Sequence, residues 1–236
     1  MDKLEQRKFE LHAKTDEFNE KVRAAEQHVQ TVFDRYENPH VEFSGGKDSL
    51  VTLHMVVDRC GYPDSDVFYF DNPTLALPGV TGYVETAVNE IGGTLIHRTG
   101  GRGTEDGGFW RNYRELHEER GWDVRVMGIR AAESNERRTR VDQNASLPIT
   151  TEEKFDAVFP IHRWTATDVW AYIVNESLPY HRVYDDQAEL YGGIDHRSNR
   201  LSMCLTRQSD SLGLRSVNQF LHPSKMNTLK NIREKN

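Results

Sequence analysis

A chain of 236 residues with 36% hydrophobic and 10% aromatic side chains can bury the core of one α/β domain, which excludes global disorder. The formal charge of −7 argues against a surface that coats nucleic acid generally, while leaving room for a local basic groove. Cys60 and Cys204 are too few for a disulfide framework, a self-contained four-thiolate iron–sulfur cluster or a cysteine-only zinc site, and they imply a reducing cytoplasm. No apolar stretch is long enough to span a bilayer, and Met1 to Glu10 carries no signal-like apolar region, so a cytoplasmic protein is expected.

Residues 2 to about 36 are charged and helix-friendly, with Phe9, Ala13, Phe18, Val22, Ala25, Val29 and Val32-Phe33 on one face. This predicts an N-terminal amphipathic helix over 1–37, stopped by Asn38-Pro39, whose apolar face suits either the chain's own core or a homodimer contact. Strands and helices then alternate over 38–185. Strands are expected at His40–Phe43, Val67–Phe70, Thr94–His97, Val124–Ile129 and Ala157–Pro160. Helices are expected at Leu50–Val57, Gly82–Ile91, Phe109–Arg120 and Thr165–Asn175. Such alternation implies βαβ units: an α/β fold with a parallel twisted sheet flanked by helices, binding its ligand beyond the carboxyl ends of the strands. Segments 98–108 and 131–153 read as polar loops, and 186–236 as a weakly patterned tail that completes or covers the site.

Ser44-Gly45-Gly46-Lys47-Asp48-Ser49 follows the first strand and opens the first helix of this alternating region. Strand, glycine turn and helix start make a phosphate cradle: the glycines let successive N–H groups approach an anion, and the helix adds its positive end. Lys47 and Ser49 carry an ammonium and a hydroxyl to phosphate oxygens. Asp48 suits either a helix cap or a Mg²⁺ ligand. Lys47 is followed by Asp48 rather than Ser or Thr, so this is not the Walker A loop of γ-phosphoryl transfer. Asp71 and Asn72 end the next strand, where a carboxylate can meet a nucleotide or a metal. After Gly128, the run Ile129 to Arg138 offers Arg130, Arg137 and Arg138 as planar cationic forks for phosphate or sulfate. In Pro160 to Trp170, Val169 and Trp170 read as core, Asp168 as a first-turn acid, and His162 and Arg163 as pocket or surface residues.

Together S-G-G-K-D-S, the strand end F-D-N, G-I-R-A-A-E-S-N-E-R-R and P-I-H-R-W-T-A-T-D-V-W-A-Y-I resemble the phosphoadenosine phosphosulfate (PAPS) reductase family, in its order and spacing, over about residues 40–185. This family of the PP-loop ATP-pyrophosphatase superfamily includes sulfonucleotide reductases, the small subunit of ATP sulfurylase and ATP-pyrophosphatases of DNA phosphorothioation. The resemblance implies an adenine nucleotide α-hydrolase-like fold, with phosphate binding by Ser44, Gly45, Gly46, Lys47, Asp48 and Ser49. It further implies nucleotide contacts from Asp71 and Arg130, with Glu133 and Arg137 at the rim. Catalysis would fall to Lys47, Asp48, Asp71 and Arg130, with ATP and Mg²⁺, or PAPS, as ligands. A third reading is a nucleotide-binding subunit without turnover of its own, completed by a partner protein of a sulfur-transfer or DNA-modification system; the amphipathic leader and the weakly patterned tail leave room for it. The departure is at the tail: the late thiol of the reductases sits in a Glu-Cys-Gly-(Ile/Leu)-His setting, whereas Cys204 lies in Leu201-Ser202-Met203-Cys204-Leu205-Thr206. Cys204 is therefore either a nucleophile activated by Arg200 or Arg207, or a buried, idle thiol.

Overall fold

Runs rich in valine and aromatic residues form the strands, and the amphipathic segments between them form helices. The computed structural model describes residues 1–72, 79–101, 108–133, 149–150 and 155–191. Among these, β1 (Pro39–Glu42), β2 (Asp66–Asp71), β3 (Thr94–Thr99), β4 (Val124–Met127), the two-residue β5 (Ile149–Thr150) and β6 (Asp156–Val158) form one sheet, ordered β3-β2-β1-β4-β6-β5. Five strands are parallel, and β5 runs antiparallel at the edge. Val41, Val67, Val124 and Val126 are buried, as expected of parallel strands covered on both faces. The order reverses at β1: the chain moves outward through β2 and β3, then returns to set β4 on the other side of β1. The carboxyl ends of β1 and β4 therefore flank a crevice, the place where open parallel sheets bind ligands.

The helices are α1 (Lys3–His12), α2 (Asp16–Arg35), α3 (Lys47–His54), α4 (Val80–Ile91), α5 (Phe109–Arg120), α6 (Ala166–Asn175) and α7 (Val183–Tyr191). None is long and apolar enough to cross a membrane, among the described residues. α3 widens into a π-turn over Met55–Arg59, where the Cys60 amide donates to the Met55 carbonyl.

The single N-terminal helix expected from periodicity is two helices. Thr15 ends the first by donating its hydroxyl to the His12 carbonyl, and caps the second by accepting from the Phe18 amide. Asp16 and Glu17 then fill the first turn of α2, where negative charge is favoured. The apolar face lies on the chain's own core: Phe9 and Val29 are fully buried, and the Phe9 ring stacks on Trp170 with centroids 6.3 Å apart. Burying a side chain such as Phe9 contributes about 1.5–3 kcal/mol. Polar contacts fasten the same joint. Asp168 completes a capping box with Thr165 at the start of α6, and also accepts from His12 Nε2 at 2.7 Å and Lys21 Nζ at 3.0 Å.

On the sheet face under α5, Phe68, Ile96, Tyr113, Leu116 and Trp122 form a second cluster. His40 is completely buried beside it, stacked on Trp122 at 4.0 Å, and neither ring nitrogen has a hydrogen bond of normal geometry among the described residues. Burial, and then the Arg125 guanidinium, hold this imidazole well below the ordinary histidine range, so it is neutral when folded. Between the ordinary value of 6.5 and the depressed native one, only the unfolded chain takes up the proton. Stability should thus be full above about pH 6.5 and decline as the pH falls below it. Urea midpoints between pH 7 and 5 should show this slope in wild type and lose part of it in His40→Phe; an undiminished slope would assign it to other groups.

Candidate functional site

The turn from β1 into α3 sits at the crevice. Gly45 has φ +76°, a left-handed conformation that a side chain disfavours, and Gly46 precedes the first helical residue, Lys47. Ser49 ties the turn together: its Oγ donates to the Gly46 carbonyl at 3.0 Å, accepts from the Ser44 amide at 3.3 Å and lies 3.1 Å from Ser44 Oγ. A helix start leaves its first amides without intrahelical acceptors. Here the Lys47 amide donates to the Tyr184 hydroxyl at 3.1 Å, and the Leu50 amide to the Gly46 carbonyl at 2.9 Å. The Asp48 and Ser49 amides have no acceptor among the described residues. Two N–H groups at a positive helix end are therefore without an acceptor among these residues, as an anion-binding turn requires.

Three charged side chains close on one another behind this turn. Lys47 Nζ donates to Asp48 Oδ2 at 2.8 Å, while Arg130 Nε donates to Asp48 Oδ1. Arg130 Nη1 also reaches the Trp164 carbonyl at 3.3 Å. Lys47 and Arg130 are 1% and 2% exposed, so the cluster is shielded from water and its electrostatics are strong. Burial works to raise the Asp48 carboxyl, but the Lys47 ammonium and Arg130 guanidinium outweigh it and hold the group below the usual carboxylate range. Among the described residues the cluster thus sets one carboxylate between an ammonium and a guanidinium, beside a helix N-terminus.

Gly128 makes this approach possible. A Cβ there would lie 2.5 Å from both the carbon and the oxygen of the Asp48 carbonyl, and 2.6 Å from the Ser49 nitrogen. Without a side chain, the end of β4 presses directly on the first turn of α3, and Arg130 follows two residues later. Glu133 closes the turn after Arg130: its carboxylate accepts from the Arg130 amide at 3.2 Å, and its own amide donates to the Arg130 carbonyl.

The structure therefore brings Ser44, Gly45, Gly46, Lys47, Asp48, Ser49, Arg130 and Glu133 together. Asp71 ends β2 at the same side of the sheet, but its partner is Thr81 on α4, whose hydroxyl donates to Oδ2 at 3.3 Å. The other carboxylate oxygen of Asp71 is buried with no partner among the described residues. Arg137, Arg138 and Cys204 lie outside the described residues. Sequence reasoning missed Tyr184, the Trp164 carbonyl and the packing role of Gly128. A glycine directly before the arginine-bearing strand end was a signal for the last. A tyrosine in a weakly patterned segment gives none.

Both Asp48 oxygens are engaged by cations, and among the described residues no group of three His, Cys, Asp or Glu side chains could hold a metal. The arrangement does not fit a protein-built Mg²⁺ site.

Comparisons with known proteins bear on the fold and the family. The first two curated relatives are an uncharacterized protein of Methanocaldococcus jannaschii, 29% identical over 184 residues, and sulfate adenylyltransferase subunit 2 of Rhizobium sp. (strain BR816), 26% identical over 191. Each match covers 66% of this chain, but only 36% and 64% of the respective relatives. Among solved structures, the PAPS reductase of Candida auris in its phosphate complex superposes with a TM-score of 0.55 at 15% identity, over 69% of this chain and 84% of that one. Candida glabrata FMN adenylyltransferase, bound to FMN and the ATP analogue AMPCPP, gives 0.59 at 12% identity, over 77% and 68%. These likenesses establish the PP-loop, adenine nucleotide α-hydrolase-like fold. Residues 38–199, well over half of the sequence, match the phosphoadenosine phosphosulfate reductase domain, and the chain belongs to that family.

Proposed function

We propose that the protein binds ATP with its phosphates on the turn Ser44–Ser49 and transfers AMP to an acceptor oxygen, releasing pyrophosphate. The observation that carries this reading is the buried cluster of Lys47, Asp48 and Arg130 beside the Asp48 and Ser49 amides, which have no acceptor among the described residues. In the proposed step the acceptor oxygen attacks the α-phosphorus, and the bond from that phosphorus to the α,β-bridging oxygen breaks. Its electron pair leaves with pyrophosphate. An acceptor that is already anionic needs no general base. Lys47, Arg130 and the two amides offset the charge that grows on the leaving group, the preorganised electrostatics that usually dominate such catalysis. Asp71, Glu133 and Arg137 would contact the nucleotide. An acceptor from sulfur metabolism follows the name of the sulfate adenylyltransferase relative. A nucleic-acid phosphate, as in phosphorothioation systems, is the second acceptor class, and a partner subunit would supply or present either.

Calorimetric binding of Mg-ATP against PAPS, followed by pyrophosphate release with candidate acceptors, tests the reading. Mg-ATP should be preferred, and Arg130→Lys should weaken it by about tenfold or more, since a point charge replaces a two-pronged donor worth ~1.5–3 kcal/mol. Preference for PAPS would overturn adenylation. It would favour a second reading, supported by the family match, in which Cys204 takes the sulfonyl group from a sulfated nucleotide. The match ends at residue 199, before that thiol. In the second case Cys204→Ser abolishes turnover and leaves nucleotide affinity intact.

A further inference from the structure

Tyr184, on α7, is fully buried against the glycine turn. Its hydroxyl accepts the Lys47 amide at 3.1 Å, and its ring centroid lies 5.7 Å from the Lys47 ammonium. The same hydroxyl would lie 3.8 Å from a Cβ at Gly46. Trp170 of α6 meets the ring edge-on at 5.3 Å, so two helices hold the phenol in place. The Lys47 amide is the first donor of α3 and belongs to the set that faces an anion at a helix N-terminus. A neutral phenol satisfies that donor without adding negative charge. A phosphate oxygen would satisfy it with the stronger, charge-assisted bond.

We propose that Tyr184 is a positioning residue of the phosphate site, whose hydroxyl stands on the Lys47 amide in the ligand-free protein and yields that donor to a phosphate oxygen on binding. This rests on the reading of the turn as a phosphate cradle. The phenol keeps the empty turn in its binding shape, and the ligand must displace it. Tyr184→Phe preserves the ring, its packing on Trp170 and its approach to the ammonium, and deletes the hydroxyl that accepts the Lys47 amide.

The test titrates inorganic pyrophosphate into wild type and Tyr184→Phe by calorimetry, and follows hydrogen exchange of the Lys47 amide by NMR. The variant should bind pyrophosphate about fivefold tighter, the equivalent of one ordinary hydrogen bond no longer displaced. Its Lys47 amide should exchange faster when empty and regain protection at saturation. A purely structural role would weaken binding instead, so unchanged or weaker affinity overturns the proposal, as does unchanged exchange at Lys47. Binding by wild type with no gain in the variant overturns this proposal and leaves the cradle standing. Absence of binding by both proteins removes the cradle, and the proposal with it. Should the variant not fold, saturating pyrophosphate must shift the Tyr184 ring resonances of wild type; unshifted resonances overturn the displacement.

Discussion

Asp48→Ala is expected to destabilise the ligand-free protein by about 3–5 kcal/mol, the usual consequence of removing one partner from a buried charge cluster. The carboxylate is ionised at neutral pH because Lys47 and Arg130 overcome its burial. Removing it takes away the carboxylate that both cations, 1% and 2% exposed, meet among the described residues. The same loss raises the net charge of the cluster by one unit, so an added anion has more to neutralise. Pyrophosphate should therefore raise the melting temperature of the variant by more than that of wild type. Urea denaturation with and without pyrophosphate reads both effects. A variant as stable as wild type, with the same response to the anion, would mean that the cluster neither braces the fold nor sets the charge of the crevice.

Gly128→Ala should cost less stability but damage the site for a steric reason. The added methyl would sit 2.5–2.6 Å from backbone atoms of Asp48 and Ser49, and backbone cannot swing aside as a flexible side chain can. Either β4 or the start of α3 must withdraw, at the ~1–3 kcal/mol typical of overpacking. Both ways out separate Arg130 from Asp48 and move the two open amides. The expected signature is a modest loss of stability with a disproportionate loss of nucleotide affinity. Thermal denaturation and calorimetry on one preparation distinguish this from general unfolding, in which both fall together.

Much of this architecture was legible in the chain. Short apolar, β-rich runs marked β1, β2 and β4, and the glycine turn between strand and helix marked the phosphate cradle, because both depend on local sequence. The break at Ala13–Thr15 was also written locally, in Thr15 followed by Asp16 and Glu17, but the continuous apolar face of the two helices masked it. Asp168 read only as a first-turn acid. Its contacts with His12 and Lys21 bridge 156 and 147 positions, which no local pattern encodes. The clasp of Lys47 and Arg130 on Asp48, and the seat of Tyr184, depend on strand order and were invisible for the same reason.

That strand order also bears on how the protein acquires its site. β1 pairs early in the sequence with β2, but its other neighbour, β4, begins at Val124. Asp48 meets Arg130 across 82 positions, and Lys47 meets Tyr184 across 137. Closing loops of that length costs entropy before any contact compensates, and such long-range contacts slow folding. A nascent chain that has emerged only as far as β3 would present the glycine turn and Asp48 without the guanidinium that offsets its burial, and without the phenol that occupies the Lys47 amide. The buried charge cluster is therefore a late property of this chain, complete only when β4 has paired with β1 and brought Arg130 to Asp48.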